Sequence, residues 1–329
     1  MEYCYTFTVF TPTYNRCRTL PRVYESLRPQ TYRNFEWLIV DDGSADGTKE
    51  LVEKWQAESE FPIRYFYQEN HGKAVAFNRG VQEAQGELFL TLDSDDACVP
   101  QALERFKYHW DSIPLNQRDN FSAITVLGKD QNGRLVGDKF ARDVLDSDSI
   151  ELVFKYQVKG DKWGFHRTDI LRQFPFPVFP NVKFIPEALL WFTLSRKFKT
   201  RFVNEVLLIN YVNDGAEDHL SSLGPEVMFG RALFHKYVLN ELVDWLYRSP
   251  TNLFRSAINF SRYSIDLGKG PYSQFKELRP LTARILLAMS LPVGFAMSLK
   301  DKRNLARASR DTALRQTADL GEGLRARNE

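Results

Sequence analysis

The first third of the chain alternates short apolar runs with amphipathic stretches of helical period. Phe7–Thr11, Phe35–Val40, Ile63–Tyr67 and Leu88–Leu92 read as strands, and Arg18–Leu27, Thr48–Ala57, Ala74–Ala84 and Gln101–Trp110 as helices between and after them. This order predicts an α/β fold, a mostly parallel central sheet with helices on both faces, whose ligands sit outside the carboxyl ends of the strands. From 121 to 213 the alternation loosens. Ser122–Leu127 and Arg134–Val136 read as short strands, and Lys162–Phe165 opens a mixed segment. Glu187–Ser195 follows Pro186 and reads as a helix with its acid in the first turn. Met228–Tyr247 predicts an amphipathic helix in a helical C-terminal extension. The expected division is therefore one α/β domain over 1–220, a helical region over 221–300 and a polar tail over 301–329 that is expected to be disordered.

Composition narrows the partners. Lys+Arg (44) and Asp+Glu (42) nearly cancel, and a net charge of +2 gives no electrostatic case for nucleic acid. Three scattered cysteines, Cys4, Cys17 and Cys98, form neither a disulfide framework nor a zinc pattern and favour a reducing compartment. The N-terminus reads as a strand rather than a secretory leader, so the expected location is the cytoplasm. Ile285–Leu299 carries no charge, but it is shorter than the ~20 residues a membrane-crossing helix needs, and Pro292 and Gly294 are expected to interrupt it. Lys276, Arg279 and Arg284 precede the run, and Lys300, Lys302 and Arg303 follow it. The readings left open are peripheral docking on the cytoplasmic face of a membrane, or a buried helix packed on the catalytic domain or on a dimer partner.

Polar residues cluster where the strands end. Thr11 to Arg16 follow the first, Asp41-Asp42-Gly43-Ser44 the second, Asn70 to Gly80 the third and Asp93-Ser94-Asp95-Asp96 the fourth. Neither GxGxxG nor GxxxxGK[ST] is present, so a phosphate would be met without a glycine cradle. Asp93 and Asp95 lie two apart just past a strand, where alternate side chains point the same way, and hard carboxylate oxygens suit Mg²⁺ or Mn²⁺ holding a diphosphate. A solvated acidic turn before the next helix is the plain alternative. Asp41-Asp42-Gly43-Ser44 suits a turn, or a carboxylate accepting the ring N–H of a pyrimidine while Tyr14 packs on the base. Lys73 and Arg79 can meet phosphate, Asn78 can help hold the acidic loops, and His71 reads as a turn residue.

PTYNR, DDGSADGT, NHGKAVAFNRG and LTLDSDD, in that order on consecutive strand ends, resemble the nucleotide-binding half of family 2 glycosyltransferases of the GT-A (Rossmann-like) fold, bacterial surface-polysaccharide type. The likeness spans roughly residues 5–110 and implies a donor half over 1–110 and an acceptor half over 111–220. It implies a nucleotide-diphosphate-sugar donor, usually a UDP-sugar, inversion by one displacement, and Mn²⁺ or Mg²⁺. Carried over by motif, Pro12, Thr13 and Tyr14 line the base, Asp41 and Asp42 contact base and ribose, and Lys73 and Asn78 face the donor. Asp93 and Asp95 are the DxD pair, with Asp95 nearest the metal and Asp96 a neighbour. Glu187 is the implied general base, although Ala188 stands where the family often has Asp; Asp161 and Asp169 are reserves. No QxxRW segment is present, so one sugar is added per event, to a glycan or polyprenyl-linked acceptor. The other classes weighed are a non-catalytic nucleotide- or carbohydrate-binding protein and a nucleotidyltransferase, although the latter typically has a Gly-rich basic loop where TPTYNRCR stands.

Overall fold

The computed structural model describes residues 3–212 and 225–325, with side chains for 3–212 and 227–304. The chain divides into two compact units, residues 1–219 and 220–329.

The first unit opens with β1 (Tyr5–Thr13), α1 (Leu20–Leu27), β2 (Phe35–Asp41), α2 (Thr48–Glu58), β3 (Ile63–Tyr67), α3 (Lys73–Glu83) and β4 (Gly86–Thr91). It continues through β5 (Ala97–Cys98), α4 (Ala102–Asp111), α5 (Leu115–Arg118), β6 (Phe121–Asp130), β7 (Val144–Ser147) and α6 (Ser149–Phe154). It closes with β8 (Trp163–Arg167), α7 (Thr168–Gln173), α8 (Ala188–Ser195) and β9 (Lys199–Asn210). All nine strands join one sheet in the order β3-β2-β1-β4-β8-β6-β9-β5, with β7 also paired to β9. The β3-β2-β1-β4 half is parallel throughout, and the other half is mixed, because β8 runs against both β4 and β6.

Every residue of β2 is buried, as a near-continuous apolar strand covered on both faces requires. On β1 the alternation separates two layers. Phe7 and Val9 join the core cluster with Tyr24, Trp37 and Trp55, while Phe10 stacks on Phe89 and meets Phe77 of α3. The four expected strands of this half therefore hold, each within two residues at its ends.

The second half departs from expectation. Arg134–Val136 is not a strand: glycines in the left-handed region at Gly133 and Gly137 bracket the segment, and it makes one isolated bridge, Lys129 to Leu135. Lys162–Phe165 instead leads into β8, and the twelve-residue β9 fills the sheet beside β6.

The second unit holds α9 (Pro225–Glu241), a 3₁₀ turn (Val243–Tyr247), α10 (Pro250–Asp266), α11 (Pro271–Glu277) and α12 (Leu281–Arg325). The single helix expected over Met228–Tyr247 breaks at Leu242, which lies between α9 and the turn. One expectation for the C-terminus is corrected. Pro292 and Gly294 do not interrupt the apolar run: α12 continues through both, Pro292 exposed and Gly294 buried, with α10 packed along the helix. Of the polar tail expected over 301–329, the backbone of 301–325 continues α12. Within α12, Leu281–Asn304 is long and apolar enough by length and composition to cross a membrane, which the shorter uncharged run was not.

Candidate active site

The loops at the carboxyl edge of the parallel strands are fastened to one another by hydrogen bonds. Asn15 adopts positive φ just past β1; its backbone N–H donates to Ser44 Oγ at 2.8 Å, and its side-chain oxygen accepts from Ala45 N at 2.8 Å. The Cys17 amide donates to Asp46, and Asp42 N donates to the Thr13 carbonyl at 2.8 Å. These bonds join the β1 and β2 loops. Tyr14 is left 45% exposed above them, and Thr13 carries a buried hydroxyl with no partner among the described residues. Pro12 lies beside them, half-buried.

Asp41 and Asp42 stand where the sequence places them, but not as open acceptors. Both are buried: Asp41 accepts from Ser44 N at 2.7 Å and from the Tyr65 hydroxyl at 2.6 Å. Burial, and then the hydrogen bond and charge of Asp41, push the Tyr65 phenol up, which keeps it a donor. Asp42 accepts from Gln68 Nε2 and from the backbone N–H groups of His71 and Gly72. His71 is thus the turn residue expected. The two carboxylates order the loops beneath Tyr14.

At the end of β4, three carboxylates crowd one turn. Asp96 is tied by Asn210 Nδ2 at 2.9 Å and by Tyr211 N, both at the end of β9. Burial first, and then the charges of Asp93 and Asp95, push its carboxyl up to about 7. The Asp95 carboxylate has no hydrogen bond or ion pair among the described residues, while Arg22 holds the Asp95 carbonyl at 3.2 Å. A cluster with excess negative charge and an unengaged carboxylate fits a divalent cation. No three His, Cys, Asp or Glu side chains among the described residues form a ready metal site, so an ion on Asp93 and Asp95 would complete its oxygen shell from diphosphate and water.

Lys73, in the first turn of α3, has the role that sequence reasoning missed. Its Nζ lies 2.8 Å from Asp93 Oδ1 and 2.8 Å from Glu187 Oε1. Burial alone would lower this ammonium, but the charges of Asp93 and Glu187 and the hydrogen bonds to them hold it above its ordinary value. One cation therefore gathers Asp93 and the carboxylate just before α8 into one site. The close approach begins one residue earlier. Gly72 has φ +93°, and a Cβ there would come within 2.3 Å of the Lys183 carbonyl. Gly72→Ala is therefore expected to cost roughly 2 kcal/mol or more of stability, read as a lowered urea midpoint, and to displace the segment that carries Glu187.

The remaining expected residues fall outside this cluster. Both ends of the Asn78 amide are committed to the Phe176 backbone, at 2.9 and 2.8 Å, so Asn78 clamps the segment that follows α7. Asp169 is paired with Arg167 beyond β8; that strand runs against β4, which puts Asp169 at the opposite sheet edge. Asp161 is exposed before β8, on the near edge.

Trp191 of α8 stacks on His166 of β8, with ring centroids 4.0 Å apart and planes 7° apart, and this fixes the helix that Glu187 opens. Burial holds His166 down at about 3, so it is neutral at physiological pH. The unfolded chain takes that proton first. Stability is thus full above the ordinary value of 6.5 and is lost as pH falls from there toward 3. The urea midpoint of wild type is expected to fall between pH 7.5 and pH 4.5, and His166→Phe to remove roughly 2 kcal/mol of that loss. His235, held at about 4 by burial and by Arg231 and Arg262, leaves a residual slope.

Sequence comparison agrees with this geometry. Residues 8–117, across the parallel half of the sheet, match the profile of glycosyl transferase family 2. An uncharacterized glycosyltransferase of Rickettsia typhi is 28% identical over 222 residues, covering 63% of this chain and 64% of that protein. The putative teichuronic acid biosynthesis glycosyltransferase TuaG of Bacillus subtilis is 35% identical over 98 residues, 30% of this chain and 39% of that one. The chain spans between 20% and 64% of the length of the first curated relatives it matches. Among solved structures, S. aureus TarS 1-349 in complex with UDP-GlcNAc superposes with a TM-score of 0.63 at 19% identity over 92% of both chains, which establishes the GT-A fold expected from the sequence.

Proposed function

We propose that this chain is an inverting glycosyltransferase that moves one sugar from a UDP-sugar to a hydroxyl of a polyprenyl-linked or glycan acceptor, in the cytoplasm, during cell-surface polysaccharide assembly. The observation that carries the reading is the junction at Lys73, where an acid of the DxD turn and a separate acid before α8 meet one side chain. The UDP-GlcNAc complex of TarS and the teichuronic acid role given to TuaG support the donor and pathway class.

In this reading the nucleotide half is residues 1–110 and the acceptor half 111–220. Pro12, Thr13 and Tyr14 line the base, with Tyr14 packing on its face and the Thr13 hydroxyl gaining a partner. Asp41 and Asp42 hold the floor of that pocket. Asp93 and Asp95 would hold Mn²⁺ or Mg²⁺, which when bound neutralises charge on the departing diphosphate. Lys73 adds a fixed positive charge beside Asp93. Glu187 accepts the proton of the acceptor hydroxyl as its oxygen attacks the anomeric carbon. With the attacking oxygen coming from the acceptor and the leaving diphosphate on the other side, a single displacement inverts the configuration.

UDP release from a panel of UDP-sugars with Mn²⁺ or Mg²⁺, followed by transfer to polyprenyl-diphosphate-linked sugars, tests the reading. Release that depends on the metal is the expected result. Tight binding of UDP-sugar with no release under any metal or acceptor would make the chain a binding protein instead.

A further inference from the structure

The exposed side of α12 is unusually apolar for a helix that faces water. The buried side mixes Ala283, Leu286 and Leu287 with small and polar residues: Ser290 is 2% exposed, Ser298 1% and Asp301 5%, and Gly294 is buried. A Cβ on Gly294 would come within 2.7 Å of Ser261, so the two backbones touch as closely as their atoms allow. Ser298 donates to Asp266, and Arg262 pairs with Asp301, one of its two contacts being 2.7 Å. The outer side, by contrast, carries Leu281, Ile285, Met289, Val293, Phe295 and Leu299, each between 41% and 72% exposed. Large apolar residues on the outer side, over a close seam built on Gly294 and two serines, suit a helix whose outer face meets lipid.

Charge surrounds that face. Arg284 and Lys300 stand at its two ends, with Lys302 and Arg303 beyond. Along its edge, Met297 closes a groove of about 540 Å³ with Phe254, Ile258, Asn259 and Arg255 of α10. The Arg255 guanidinium has no ion pair among the described residues. An apolar floor beside an uncommitted cation matches the boundary between acyl chains and an anionic headgroup.

We propose that the outer face of α12 docks on an anionic phospholipid bilayer, with the helix lying in the plane of the interface. Leu281–Asn304 has the length to cross, but crossing would take the Arg262–Asp301 pair and the α10 seam into hydrocarbon, and docking leaves both intact. The inference stands on the second unit alone and is independent of the sugar-transfer reading.

The test is flotation of the full chain with phosphatidylglycerol–phosphatidylcholine vesicles, alongside phosphatidylcholine vesicles and a vesicle-free control. Flotation with the anionic vesicles that weakens at high salt is expected. Met289→Glu/Val293→Glu, on the outer face, is expected to lower the bound fraction about tenfold or more, and Arg284→Gln/Lys300→Gln to lower it severalfold, with helical circular dichroism unchanged. The proposal is overturned if the wild type stays with the soluble fraction, or if the Glu variant floats as well as wild type. It is also overturned if sedimentation in vesicle-free buffer shows a dimer that the Glu variant dissolves while the wild type does not float, since a second copy would then be the occupant.

Discussion

Glu187→Gln is expected to lower sugar transfer by ~10²–10⁴-fold while donor affinity changes little. The substitution keeps shape and hydrogen-bonding capacity but cannot receive a proton, and Lys73 keeps its second anchor on Asp93, so the site is not dismantled. Steady-state rates at saturating donor, with UDP affinity measured separately by calorimetry, divide the effect between the chemical step and binding. Wild-type turnover in Glu187→Gln would move the base elsewhere. Asp161 would then be the one reserve on the same sheet edge, because Asp169 is held by Arg167 at the other.

Asp95→Ala is expected to lower turnover by orders of magnitude and to weaken metal-dependent UDP binding, with the melting temperature unchanged. The melting temperature stays because the Asp95 carboxylate makes no bond among the described residues, so the fold loses no interaction when it goes. Removing a carboxylate from a turn of three also relieves repulsion at Asp96, whose neighbours' charges help to raise its carboxyl to about 7. Full activity of Asp95→Ala in EDTA would refute the metal assignment.

Much of the donor half is legible in the sequence because its signals are local. Parallel strands covered on both faces must be apolar without a break, and β2 is; the loops after them must be polar, and the DDGS and DSDD runs are. The acceptor half relies on pairings that no short window contains. β9 carries Glu205 in mid-strand, which the sequence cannot distinguish from a loop acid until Arg105 and His109 of α4 come alongside. Asn78 reads as a donor contact within its motif, yet its partner is a backbone far along the chain. Lys73 reads in its motif as a side chain that can meet phosphate; that it also holds Glu187 depends on how α8 docks. Pro292 shows the reverse error, since a local helix-breaking rule gave way to the packing of α10.

The closeness of Gly72 to Lys183 bears on how such enzymes could be recombined. If acceptor preference resides in residues 111–220, exchanging that stretch between relatives offers a way to redirect the product. The junction sets the condition for success: the incoming segment must pass within van der Waals reach of a side-chain-free residue before α3, and must deliver its acid to the lysine that follows. A chimera that keeps glycine and lysine at 72 and 73 and the length of the 183–187 segment inherits a joined site. One that alters that length inherits two halves that fold but do not meet.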